Sequence, residues 1–297
     1  MGSARDGARI AVVTSGPGIE ADADLPLIVE ALRAEGLAAR PVPWDADATA
    51  WDGFDLALIR STWDYSQRLG EFLAWTDTAA RATRLRNPAP VVRWNSDKRY
   101  LTRLAERGVR VAPTRFLEPG TPYDVADFDR PGGVVVKPSV SAGARDTARY
   151  EPGHHADAAR HARMLLDQGR TVMVQPYLRR VAEGERALVF FGGAFSHAIR
   201  KGPLLTEAGV IDNQRVAHPG IAPHPPTEAE LRAARAALAA IPSPAAPLFA
   251  RVDLALDDDG EPLVMELELI EPNLFLKDNP QGLPGLVRAV TAAVGPA

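Results

Sequence analysis

Three acids stand inside two otherwise apolar, alternating stretches late in the chain. Asp253 lies in Ala250-Arg251-Val252-Asp253-Leu254-Ala255-Leu256, and Glu266 and Glu268 lie in Leu263 to Ile270. A carboxylate withdrawn from water changes protonation state or finds a cation. The two stretches flank Asp257-Asp258-Asp259-Gly260 and read as a β-hairpin. Glu266 and Glu268 then share one face, with Asp253 on the neighbouring strand. Together they can hold Mg2+, a hard ion that takes oxygen ligands. Glu271 and Asn273, just beyond, offer further oxygens. The competing reading is a half-exposed sheet with its charges on the wet face.

Two lysines complement these acids. Lys137 ends the strongly β-forming run Val134-Val135-Val136 next to Pro138, and Lys98 sits in an ordered context after Asn95. A lysine is a compact point charge suited to phosphate. The small-residue stretch Ser139 to Asp146 can bring backbone N–H groups to phosphoryl oxygens. Lysines, loop and distant acids together suggest binding of a magnesium nucleotide. The glycines after the first strand, Thr14-Ser15-Gly16-Pro17-Gly18, match neither the GxGxxG fingerprint nor the Walker loop. A nicotinamide dehydrogenase therefore has no support.

Composition narrows the field further. The chain has 297 residues, 34 Lys+Arg, 38 Asp+Glu, a formal charge of −4 and 46% hydrophobic residues, which suits two domains or one large one. With no cysteine, disulfides, thiolate zinc sites, iron–sulfur clusters and a cysteine nucleophile are excluded. The histidines form no HExxH pattern. Arg81, Arg84 and Arg86 make too short a cluster for a nucleic-acid surface. No apolar run reaches the ~18 residues of a membrane span. The polar start, Met1 to Arg9, does not read as a signal peptide, so a cytoplasmic location is the default expectation.

The elements that must position these residues follow from periodicity. Strands are predicted over 9–14, 38–43, 54–59 and 90–93, with a turn at Ser15 to Gly18. Helical spacing joins Leu25, Ile28, Val29 and Leu32, and then Leu69, Phe72, Trp75, Thr76 and Ala79. Alternating strands and helices imply a small parallel sheet, whose ligands bind beyond the carboxyl ends of its strands. Arg60, Trp63, Asp64 and Tyr65 follow such a strand. Arg60 can pair bidentately with a substrate carboxylate, and Trp63 and Tyr65 can wall the site or pack the domain interface. Ser96 is expected to cap a helix running to Gly108. Strands follow over 134–137, 172–175, 186–191 and 194–201, with helices over 158–166 and 228–240.

The order of WNSDKRYL (94–101), VVVKPSVSAGARDT (134–147), VMVQPYL (172–178), EGERALVFFGGAFSHAIRKG (183–202), FARVDLAL (249–256) and MELELIEPNLFL (265–276) resembles the ATP-grasp superfamily. That resemblance implies an α/β N-terminal domain followed by a two-lobed α+β ATP-grasp fold. The boundaries it implies are 1–92 for the small domain, 93–174 for the central subdomain and 175–297 for the C-terminal subdomain with the hairpin. The cofactors it implies are ATP and Mg2+. Lys98 and Lys137 would contact phosphate. Ser141, Ala142 and Gly143 would belong to the mobile loop over the phosphates. Gln175, Pro176, Tyr177 and Leu178 would form the hinge that meets adenine, and Glu185, with Glu183 as the alternative, would face the ribose. Arg251 matches a phosphate-side arginine, and Arg215 a substrate-side or phosphate-side one. Lys201 is either a phosphate contact or an ordinary strand end. Asp253 and Glu268 match magnesium ligands. The usual Glu-x-Asn ending is replaced by Glu266-x-Glu268, with Glu271-x-Asn273 as a rival alignment.

ATP-grasp enzymes activate a carboxylate as an acyl-phosphate that a nitrogen then attacks, with ADP released. DLPLIVEALRAEG (24–36), IRSTWDY (59–65), RWNSDKRYL (93–101) and LELIEP (267–272) resemble the branch that closes O-ureido-D-serine to D-cycloserine. An intermolecular amino-acid or peptide ligase, RimK-like or glutathione-synthetase-like, is the alternative. A non-catalytic nucleotide sensor is a second one. The expected partner is a small amino-acid-like carboxylate, with no nucleic acid and no membrane. Family habit adds a homodimer.

Overall fold

The computed structural model describes residues 7–46, 49–214 and 219–295. The first sheet is parallel, in the order β2-β1-β3-β4. Its strands are β1 (Arg9–Thr14), β2 (Ala38–Pro43), β3 (Leu56–Ser61) and β4 (Arg84–Arg86). Between them run α1 (Gly16–Ala21), α2 (Leu25–Ala34) and α3 (Leu69–Ala82). β1 over Ile10 to Val13 and β3 over Leu56 to Ile59 are continuously apolar and buried, as strands covered on both faces are. The predicted face of α2, Leu25, Ile28, Val29 and Leu32, is buried.

Three local expectations need correction. Ser15 to Gly18 opens α1 rather than a free turn: the Ser15 hydroxyl accepts from Gly18 N–H at 3.1 Å. The stretch 90–93 is helical, within α4 (Ala89–Asn95). Pro90 falls in the first turn, where its missing N–H costs nothing. The fourth strand is instead β4, three residues too short and charged to show a period. Ser96 ends α4, its hydroxyl donating to Arg93 O at 2.9 Å. The next helix, α5 (Tyr100–Glu106), has no side-chain cap.

The second sheet is antiparallel, in the order β5-β8-β6-β7. Its strands are β5 (Arg115–Leu117), β6 (Val134–Pro138), β7 (Ala148–Tyr150) and β8 (Val172–Pro176), backed by α6 (His155–Asp167). The third sheet has the order β11-β10-β9-β12-β13. It contains β9 (Glu185–Phe191), β10 (Ala194–Lys201), β11 (Ala222–Pro223), β12 (Phe249–Leu256) and β13 (Pro262–Glu268). α7 (Glu228–Ala239) opens on a Thr227–Glu230 capping box.

The edge strand β13 is covered rather than left open. Asn95 donates to Leu267 O at 2.7 Å and accepts from Leu269 N–H at 2.9 Å, and Tyr100 OH accepts from Leu267 N–H at 2.9 Å. The turn between α4 and α5, which carries Lys98, is thereby fixed beside the acids. The final helix, α8 (Leu283–Val294), packs Leu286, Val287 and Val290 into the core of the first sheet. Among the described residues no helix is long and apolar enough to cross a membrane.

Candidate active site

The hairpin register sets Asp253 opposite Glu266 and Arg251 opposite Glu268. These side chains line a cavity of about 580 Å3 between the second and third sheets, within the roughly 300–1,000 Å3 of small-molecule sites. On β6, Val134 and Val136 are buried in the core while Lys137 faces the cavity. Burial holds the Lys137 amine below its usual range, against the pull of Glu266.

Lys98 is buried and reaches the loop after β6, donating to Ser141 O at 2.7 Å and pairing with Glu266 at 3.1 Å. Lys201, at the end of β10, pairs with Asp253 at 2.6 Å and Glu185 at 3.0 Å. Burial works against its charge, but Asp253 and Glu185 outweigh that and raise it. Arg251 reaches Asp253 Oδ1 at 2.8 Å and Oδ2 at 2.9 Å, and also bonds Glu268. Both Asp253 oxygens are therefore taken. Its carboxyl stays well below the usual range because Arg251 and Lys201 overcome the cost of burial.

At the far end of the hairpin the balance reverses. Burial, then the charges of Glu266 and Asp253, push Glu268 up to about 7 despite Arg251. Burial, then Glu268 and Glu266, push Glu271 up to about 8. Carboxyls raised by burial beside like charges are oxygen donors that a hard cation would stabilise. Among the described residues no three His, Cys, Asp or Glu already converge as a metal cage. The reason is that Asp253, Glu266 and Glu268 are each folded onto a protein cation.

Ser141, Ala142, Gly143, Gln175, Pro176, Tyr177, Leu178, Glu185, Trp63 and Tyr65 also line the cavity. In the loop, Gly143, Ala144 and Asp146 adopt φ of 62°, 55° and 55°, a left-handed path that turns the backbone sharply. In the hinge, Tyr177 N–H is already bonded to Gly133 O at 3.0 Å, and Pro176 has none. Leu178 carries the next amide.

Two predicted substrate residues are placed elsewhere. Arg60 does not line the cavity: it is buried, with Nε 3.0 Å from Asp22 and Nη2 3.2 Å from Asp24, and it bonds Pro272 O. Its charge is neutralised by acids that precede it in the chain, so it cannot serve as a carboxylate receptor. Asp64 likewise faces away, accepting from Trp44 Nε1 at 3.1 Å and lying 3.5 Å from Arg68. Arg215 lies outside the described residues. Sequence reasoning missed the segment that brings Leu204, Leu205 and Asn213 to the cavity. Asn213 clasps Asp146 through two 2.8 Å bonds. Nothing periodic marks that irregular stretch, whose one signal was the Gly202-Pro203 break after β10.

Comparison with known proteins agrees with this geometry. Residues 10–87 match the family described as D-cycloserine synthetase DcsG, N-terminal domain. The cycloserine biosynthesis protein DcsG of Streptomyces lavendulae is 36% identical over 97% of this chain and 99% of its own length. A crystal structure of D-cycloserine synthetase DcsG superposes with a TM-score of 0.88 at 34% identity, covering 97% of this chain and 100% of that one. A D-alanine–D-alanine ligase from Bacillus anthracis, at 15% identity, shares the fold with a TM-score of 0.71 over 97% of this chain and 98% of its own. The fold and the cavity are those of an ATP-grasp ligase. Within that class the chain belongs to the D-cycloserine synthetase family.

Proposed function

We propose that the chain closes O-ureido-D-serine to D-cycloserine: ATP activates the substrate's own carboxylate as an acyl-phosphate, the oxygen-bearing nitrogen of the ureido group attacks it and displaces phosphate, and the carbamoyl group left on that nitrogen is lost with water as carbon dioxide and ammonia, with ADP released. The observation that carries this reading is the cavity in which Lys98, Lys137, Lys201 and Arg251 face Glu266 and Glu268, in a chain of that family. Magnesium ATP, when bound, supplies the phosphoryl group and neutralises its charge.

The residues fit that group. Glu266 and Glu268 would hold the cation, since burial and like charges already leave acid in excess at that end of the hairpin. Lys98 would exchange Ser141 and Glu266 for phosphate oxygens. Lys137 would meet charge developing on the transferred group. Asp253 would act by fixing Arg251 and Lys201. Leu178 would offer its amide to the adenine. The small residues of 141–143 would close over the phosphates and keep water from a hydrolysable intermediate. On this reading residues 1–92 carry the substrate end, 93–174 the phosphate lobe, and 175–297 the hinge and acidic hairpin. A cytoplasmic enzyme acting on a small free amino acid follows.

The test is product mass after incubation with ATP, Mg2+ and O-ureido-D-serine alone. The expected result is D-cycloserine appearing with ADP and no second amine. Product only on adding a second amine would replace this reading with intermolecular ligation.

A further inference from the structure

Glu271 stands apart from the other acids of the cavity. Glu185, Asp253, Glu266 and Glu268 each have a cation partner: Lys201, Lys201 and Arg251, Lys98, and Arg251 respectively. Glu271 lines the cavity, and among the described residues it makes no ion pair; its carboxyl is bonded only to its own backbone N–H.

Its backbone is held from the N-terminal side. Trp63 Nε1 donates to Glu271 O at 3.2 Å, and Arg60, fixed by Asp22 and Asp24, donates to the adjoining Pro272 O. Lys277 N–H donates to Asp24 at 2.8 Å and ties down the following segment. A rigid backbone therefore presents a carboxyl with no ion-pair partner. Trp63 and Tyr65 line the same cavity. After burial, the Glu271 charge bears most strongly of any on the buried Tyr65 hydroxyl and raises its pKa.

We infer that Glu271, in the same cavity wall as Trp63 and Tyr65, is the receptor for the substrate's α-ammonium group. The inference rests on the amino-acid substrate proposed above. A single carboxylate beside aromatic faces suits a monovalent organic cation. Mg2+ demands several oxygens in octahedral array, and the acids that could gather that way lie on the hairpin. Binding the ammonium at Glu271 directs the amino end of the substrate toward the N-terminal sheet. Arg60, Asp22 and Asp24 are positioning residues that act through the backbone of 271–272. An ammonium held by a carboxylate also stays protonated, so it does not compete as a nucleophile for the activated carboxylate.

The test compares O-ureido-D-serine with its analogue lacking the α-amine. Binding is measured by calorimetry in the presence of Mg2+ and a non-hydrolysable ATP analogue, for the wild type and Glu271→Gln. The wild type should prefer the amine-bearing ligand by at least about 30-fold, the effect of breaking one enclosed charge pair. Glu271→Gln should bind the two alike, with KM for ATP and the magnesium dependence of turnover unchanged. An undiminished preference in the variant overturns the inference. So does a shifted magnesium dependence with the preference intact, which would make Glu271 a metal ligand. A wild type that closes the ring yet shows no amine preference also overturns it, leaving the reaction assignment standing. A wild type that prefers the amine yet closes no ring overturns the reaction assignment and leaves the ammonium receptor standing.

Discussion

Lys137 and Asp253 are both charged residues in apolar strands, yet their removal should have opposite consequences. Lys137 has no ion-pair partner among the described residues, and burial already disfavours its charge. Lys137→Ala should lower kcat/KM by at least about 100-fold, with the melting temperature unchanged or raised. Undiminished turnover would remove Lys137 from the phosphate site. Asp253→Asn would remove the acid that Arg251 and Lys201 share, leaving them Glu268 and Glu185 alone, at a cost of about 3 kcal/mol, the low end for a broken buried pair, read from urea unfolding. An equally stable variant would show that the cluster relaxes freely. The chemistry of these residues was legible because a charge inside an alternating apolar strand needs a reason. Arg60 was misread for the converse reason. Its partners lie 38 and 36 residues away in sequence, and no local pattern records them.

At the scale of elements, the hairpin of β12 and β13 was readable from its alternation and acidic turn, although the register that aligns Asp253 with Glu266 was not. The β1–α1 junction was misread as a plain turn because glycine and proline signal both turns and helix starts. There a Cβ on Gly18 would stand 2.6 Å from Thr14 Oγ1, so Gly18→Ala should lower the melting temperature by several degrees, roughly 1–3 kcal/mol of overpacking. No change would mean that the junction shifts without cost.

The helix α6 carries a pH response. Burial pulls its His161 from 6.5 down to about 4. The unfolded chain therefore takes up the proton first. The stability carried by neutral His161 is fully present above about pH 6.5 and is lost as the pH falls toward 4. His161→Phe should flatten that part of the stability profile by roughly 3 kcal/mol, measured by urea unfolding across the range. An unchanged slope would show that His161 keeps its ordinary affinity for protons.

For the whole molecule, the order of elements was legible while their mutual packing was not. The end of the chain returns to its beginning: α8 shares a core with α2 and the first sheet. The spacing of its buried Leu286, Val287, Val290 and Val294 is helical, but no local pattern records which core they join. Removing residues 283–297 should uncover the side of α2 that meets α8 and broaden thermal unfolding of the entire protein. A sharp, unshifted transition would mean that α8 is dispensable to that core. The same packing holds Trp63 against residue 271 and brings the loop after β3 to a cavity between the other two sheets, so the central claim concerns the cavity as a unit. That claim is that phosphate passes from ATP to the substrate's own carboxylate. It is tested most directly with O-ureido-D-serine labelled with 18O in both carboxylate oxygens, by mass analysis of the phosphate released. The account predicts one 18O in each phosphate, formed in step with ADP. Unlabelled phosphate accompanying ring closure would contradict it.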